Sequence, residues 1–125
     1  MVVVPAGVFV VGVHHDGGRV ERRFSGGWHS RVEHLYVGGR DRTASLAELA
    51  EQRNAVASAL ADGFVNVPVA EAICFVGGLF AHPLRVGDVH VVSPGALVEL
   101  LRAPGGLGAD AVARVERQLA LALPV

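Results

Sequence analysis

The chain has 125 residues, of which 51% are hydrophobic, and a formal net charge of −1. This length fits one domain that buries roughly two thirds of its unfolded surface, and no apolar run reaches the ~18 residues that a membrane helix needs. All eleven cationic side chains are arginines, with no lysine, which excludes any chemistry that requires a lysine amine.

The first elements lie in residues 2–20. Two apolar runs, residues 2–4 and 8–13, flank the break Pro5-Ala6-Gly7. The second run is short, β-branched and bounded by turn residues, the pattern of a strand buried on both faces. Asp16-Gly17-Gly18 then reads as a tight hairpin turn into a half-buried strand over residues 19–25, with Val20 and Phe24 inward and Glu21 and Arg23 outward. Ser25-Gly26-Gly27 turns the chain again, and a third strand follows over residues 31–37. Ser45-Leu46-Ala47-Glu48 has the form of a capping box. It predicts a helix over residues 45–62 that buries Leu46, Leu49, Val56 and Leu60, with Arg53 interrupting the stripe and snorkelling. Residues 65–69 and 72–76 read as strands, the first limited by Pro68 to an edge or a start. Residues 77–83 form a loop and residues 89–92 a strand. Ser93-Pro94 opens a helix reaching Arg102, Pro104-Gly105-Gly106 breaks it, and a last helix covers residues 109–123. The order β-β-β-α-β-β-α-α implies an α/β fold, a mixed β-sheet flanked by helices.

Charge is unevenly distributed. Residues 19–42 hold Arg19, Arg22, Arg23, Arg31, Arg40 and Arg42 against Glu21, Glu33 and Asp41, a local net of +3, while residues 43–125 net −3. Such a basic segment suits nucleic-acid phosphates, and it is also what a solvated hairpin face looks like. Cys74 cannot form an internal disulfide; it sits in Ile73-Cys74-Phe75-Val76 as a core thiol, and the location expected is cytoplasmic. His14 and His15, adjacent on an extended segment, face opposite ways, whereas His14 and Asp16 share a side and would need His34 or another group to hold a metal. His29 and His82 read as surface groups, and His90 as pointing to solvent from between Val89 and Val91. Trp28 either stacks on a base or caps the sheet edge.

Taken together, these segments resemble the NERD (nuclease-related) domain, placed with the PD-(D/E)xK, restriction-endonuclease-like enzymes. The resemblance rests on residues 2–11 around Gly7-Val8-Phe9, on Gly18-Arg19-Val20, and on the helix led by Gln52. It continues through Val67-Pro68-Val69 with Ile73-Cys74-Phe75-Val76-Gly77, Val89-His90-Val91-Val92-Ser93 with Leu97 and Leu101, and the last helix ending Leu123-Pro124. It implies a restriction-endonuclease-like fold over a single domain, residues 1–125, lacking the family's leading helix. It also implies a site where two carboxylates hold Mg2+ or Mn2+ and a lysine assists the attacking water. The second carboxylate of that pattern falls on Gly12 and the lysine on His14, while the first would lie just upstream of Val2, where this chain has Met1. Gln52 matches an auxiliary glutamine.

The expectation is therefore a non-catalytic, nuclease-like module that binds nucleic acid or protein, with the six arginines as the nucleic-acid contacts and no cofactor. One alternative is a metal-dependent nuclease or phosphodiesterase with chemistry relocated to His14 and Asp16. Another is a fragment of a longer NERD nuclease, with the true start upstream. A homodimer, or a protein partner, is expected through the segment from Met1 to Val4.

Overall fold

The computed structural model describes residues 1–123 apart from Asp62 and Val65. Its elements are β1 (Val2–Val4), β2 (Gly7–His14), β3 (Gly18–Ser25), β4 (Val32–Val37), β5 (Arg40–Asp41), α1 (Thr43–Leu60), β6 (Val69–Phe75), β7 (Gly78–Leu79), β8 (Leu84–Val86), β9 (Val89–Val92), α2 (Pro94–Arg102) and α3 (Ala109–Ala122). The strands form two sheets, a five-stranded one in the order β1-β2-β6-β9-β8 and a four-stranded one in the order β5-β4-β3-β7. The α/β class with mixed strand directions is as the sequence implies, but the division into two sheets differs from the single sheet expected.

In the larger sheet β2, β6 and β9 run parallel, with antiparallel β1 and β8 at the two edges. Register places Val8, Val10, Gly12 and His14 beside Val69, Glu71, Ile73 and Phe75. That face meets α1, as the Arg53–Glu71 ion pair shows. Val8, Val10, Ile73, Phe75, Val89 and Val91 join Leu49, Val56, Leu60, Val115 and Leu119 in one buried cluster. The opposite face carries Phe9, Ala72, Cys74 and Val92, all buried, on the side where α2 lies over β8 and β9. β2 is enclosed on both faces only in its first half. Val13, near its end, is 55% exposed, because sequence alternation sets a side chain's direction but not how far the covering layer reaches.

The expected hairpin between β2 and β3 does not form. The end of β2 stays with β6, its His14 carbonyl accepting from Val76 N at 2.8 Å, and Asp16-Gly17-Gly18 carries the chain across to the second sheet. Gly18 has φ +109°, and a Cβ there would stand 2.6 Å from Gly38 Cα. Glycine is thus needed for both its backbone angle and the close approach of two loops. β3 pairs antiparallel with β4, from Val20 opposite Val37 to Ser25 opposite Val32. Val20, Leu35 and Val37 complete the main core, but Phe24, expected inward, is 40% exposed. It is on the same side as Val20, at the end where the hairpin has run past the core.

Helix α1 begins at Thr43, not at Ser45. The Asp41 carboxylate accepts from Thr43 N at 2.9 Å, and Thr43 Oγ1 accepts from Leu35 N at 3.0 Å. This junction of strand and helix pre-empts the Ser45/Glu48 capping box, and Ser45 N instead donates to Arg42 O within the first turn. The side-chain and backbone hydrogen bonds from Thr43, in that order, hold the Asp41 carboxyl below its ordinary pKa. Ser93 does cap α2, accepting from Ala96 N at 3.3 Å. The two strands expected over residues 65–69 and 72–76 are a single one, β6, which begins at Val69; Val65 lies outside the described residues, as does Asp62 of the expected helix over residues 45–62. β8, which follows directly on the expected loop, forms a hairpin with β9. After α2, Gly105 lies against the β1–β2 turn, where a Cβ would collide with Pro5 O and Ala6 Cα, and Leu107 N donates to Pro5 O at 3.0 Å. Among the described residues no helix is long and apolar enough to cross a membrane.

Candidate functional site

Two places collect the residues singled out by the sequence: the C-terminal rim of β2 and the arginine-rich second sheet. At the rim, Gly12 and His14 share the face toward α1. A Cβ at Gly12 would sit 3.7 Å from His14 Nε2, 3.8 Å from Leu49 Cδ1 and 3.9 Å from Ile73 Cγ1, all ordinary contacts. Position 12 therefore has room for a side chain, and the imidazole of His14 reaches back over it while its ring leans on Phe75, 5.7 Å between centroids. Gln52 is exposed on α1.

Asp16, considered with His14 for a metal, is engaged by a different partner. Arg42 holds the Asp16 carboxylate, with Nε 2.8 Å from Oδ2 and Nη2 donating to Oδ1 at 3.2 Å. The Nε proton is not directed at an acceptor, so the Nε contact is Coulombic and the directed bond comes from Nη2. His34 is on the second sheet, hydrogen-bonded to Ser25 Oγ at 2.6 Å. Among the described residues no three His, Cys, Asp or Glu side chains converge as metal ligands would. What the rim offers instead is a polar cleft of about 300 Å³ lined by His15, Asp16, Gly38, Arg40 and Arg42.

The six arginines all belong to the second sheet and its adjoining turns, but not to one face. Register puts Arg19, Glu21 and Arg23 on one side of β3 with His34 and Tyr36 of β4, and Val20, Arg22 and Phe24 on the other with Glu33 and Leu35. Arg23 pairs with Glu21 at 3.5 Å and lies 4.1 Å over the Tyr36 ring. Across the sheet, Arg31 lies 3.8 Å and Arg22 5.1 Å over the ring of Phe24. Two bonds anchor this end to the larger sheet: Arg22 Nη1 donates to Arg85 O at 3.1 Å, and Gly87 N donates to Glu33 Oε2 at 2.7 Å. Beyond them the hairpin projects from the core, with every residue from 22 to 32 exposed. Trp28, at its tip, is 99% exposed and does not cap the sheet edge.

Three other positions complete the chemistry. His90 does point away from Val89 and Val91, but it is half-buried, lining a cleft between β9 and α2. Burial, then the charge of Arg85, lowers its pKa. Cys74 is buried, and that burial raises its thiol pKa. Glu71, which sequence reasoning passed over, is 8% exposed and meets Arg53 at 3.4 Å. The signal for it was Arg53 itself, a cation on an apolar helical stripe with no other reason to be there. Compared with known protein families, with curated proteins and with solved structures, the chain matches none.

Proposed function

We propose that this chain is a nuclease-like domain of the NERD, restriction-endonuclease-like kind that binds nucleic acid without reading its sequence and without cleaving it. The observation that carries this is the concentration of Arg19, Arg22, Arg23, Arg31, Arg40 and Arg42 on one small sheet and its adjoining turns, in a chain whose remaining residues net negative. The side-by-side placement of positions 12 and 14, facing the helix that carries Gln52, supports the family reading: the two residues occupy neighbouring places but bring neither a carboxylate nor an amine. Guanidinium groups suit phosphate oxygens through charge-assisted, forked hydrogen bonds, and contacts to phosphate carry no base information.

The test has two arms. Fluorescence anisotropy with labelled 20-nucleotide DNA should show binding at 50 mM salt that weakens steeply by 200 mM, the mark of counterion release. The same DNA and an RNA counterpart should stay intact over hours with Mg2+ or Mn2+. No binding at 50 mM salt would end the proposal. Cleavage abolished by His14→Ala would replace it with the relocated-chemistry reading.

A second reading, association of two copies through the β1 edge, is favoured by one observation: among the described residues β1 pairs only with β2, leaving an edge able to accept another strand. Light scattering at micromolar concentration should then give twice the monomer mass. Val3 is the wrong residue to probe it, since register places it beside Val8 and it packs on the core. Val2→Glu, on β1 itself and not among the residues packed on the main core, should restore the monomer without unfolding it. A monomer in the unsubstituted chain would dispose of this reading.

A further inference from the structure

We infer that the tip of the β3–β4 hairpin is a stacking platform for unpaired bases, so that single strands are the preferred nucleic acid. The inference rests on the nucleic-acid reading above and adds to it a partner class and a residue, Trp28. Three observations combine. Trp28 is almost wholly in solvent, at the end of a hairpin that has left the core, so its indole has a free face rather than a packing role. On the same hairpin the Phe24 ring is flanked by Arg31 at 3.8 Å and Arg22 at 5.1 Å. Those guanidinium planes are thereby steadied and add a cationic surface on which a further base or phosphate can rest. Finally, residues 22–32 hold no acid, and the acids on either side are engaged, Glu21 with Arg23 and Glu33 with Gly87 N.

Charge and aromatic surface thus coincide at one projecting point. An anionic chain with free π-faces complements both, since bases stack on aromatic side chains regardless of sequence while arginines follow the backbone. A duplex satisfies only the charge, because its bases are already stacked on one another. An apolar protein surface complements only the rings, because it would strip water from Arg22 and Arg31 without replacing it.

The chain has one tryptophan, so its fluorescence reports on the platform directly. Oligo-dT of 20 nucleotides, an abasic strand of equal length and a 20-base-pair duplex should be titrated at 50 mM salt. Oligo-dT should quench Trp28 and bind more tightly than the abasic strand. Trp28→Ala should lose about tenfold affinity for oligo-dT with no change on the abasic strand or the duplex, and Trp28→Phe should recover most of the loss. Oligo-dT binding that leaves the fluorescence unaltered, or is indifferent to Trp28→Ala, overturns the platform while leaving the arginine reading in place. Failure of all three nucleic acids to bind overturns both readings.

Discussion

Replacing Arg22, Arg23 and Arg31 together with alanine should remove most of the salt dependence of nucleic-acid binding. Each arginine–phosphate pair removed lowers the slope of log K against log[salt] by about 0.7 on a single strand and about 0.9 on a duplex. Three such pairs therefore account for a change of roughly 2 to 3 in slope, and for more than tenfold in affinity at low salt. These three are the decisive residues because they lie on the projecting hairpin, where the Arg23–Glu21 pair is long and open to solvent, whereas Arg42 is held to Asp16 by two shorter contacts and Arg40 is at the mouth of the rim cleft. The informative control is the triple replacement of Arg102, Arg114 and Arg117, equal in charge but placed on α2 and α3. Equal losses from the two triple variants would mean that net charge, and not the hairpin, carries the affinity. Since Arg22 also donates to Arg85 O, circular dichroism on the first variant should accompany the titration.

Outside the apolar core, the largest effect on stability is expected at Arg53. Its guanidinium is 3.4 Å from Glu71, whose carboxylate is in the sheet beneath α1. Removing the cation leaves a buried charge without its partner, a change that costs ~3–5 kcal/mol for fully enclosed pairs. The Arg53 side chain is 41% exposed, so solvent screens part of the interaction and Arg53→Ala should cost about 2–3 kcal/mol at neutral pH. In a domain of this size that is a fall in Tm of roughly 10 °C. Adding Glu71→Gln to the Arg53→Ala variant should recover much of the loss by removing the stranded charge, while Glu71→Gln alone should cost less than Arg53→Ala. Denaturant unfolding of the four proteins gives the coupling directly. A single Arg53→Ala variant within 0.5 kcal/mol of the parent, or a double variant less stable than either single one, would show that Glu71 does not depend on Arg53.

The strands and helices whose signals are strictly local were legible. Residues 8–13 announced β2 through β-branching, and Ser93-Pro94 announced the start of α2 because an N-cap oxygen and a proline act within one turn. What failed was information that resides in tertiary placement. Asp16-Gly17-Gly18 specifies a change of direction, but nothing in those residues says that the next strand joins another sheet. The capping box at Ser45 was plausible by itself and lost to Asp41 and Thr43, whose advantage is that Thr43 also satisfies Leu35 N. Leu84-Arg85-Val86 is too short to stand out as a strand until β9 pairs with it. At the candidate site, the alternation that put His14 beside Gly12 could be read in advance. The grip of Arg42 on Asp16 could not, because it spans two sheets. Phe24 and Trp28 have the residue types of a core, and only the length of the hairpin relative to the layer beneath it puts them in water.

The way the larger sheet is assembled also shapes how the chain must fold. β2 is synthesised well before its parallel partner, which begins at Val69, and the loop that rests on the β1–β2 turn carries Gly105 and Leu107. At ~5–20 residues per second the ribosome needs roughly 3–12 s to bring residue 69 out after residue 8. For that interval two valine-rich segments wait with only each other to pair with. Parallel pairing at such sequence separation is slow in any case, because the loop must close before the contacts repay it. The four-stranded sheet's β3–β4 hairpin has no such delay and is complete by residue 37. The arginine-bearing hairpin can therefore form first, and the larger sheet is finished only when β6, β8 and β9 arrive.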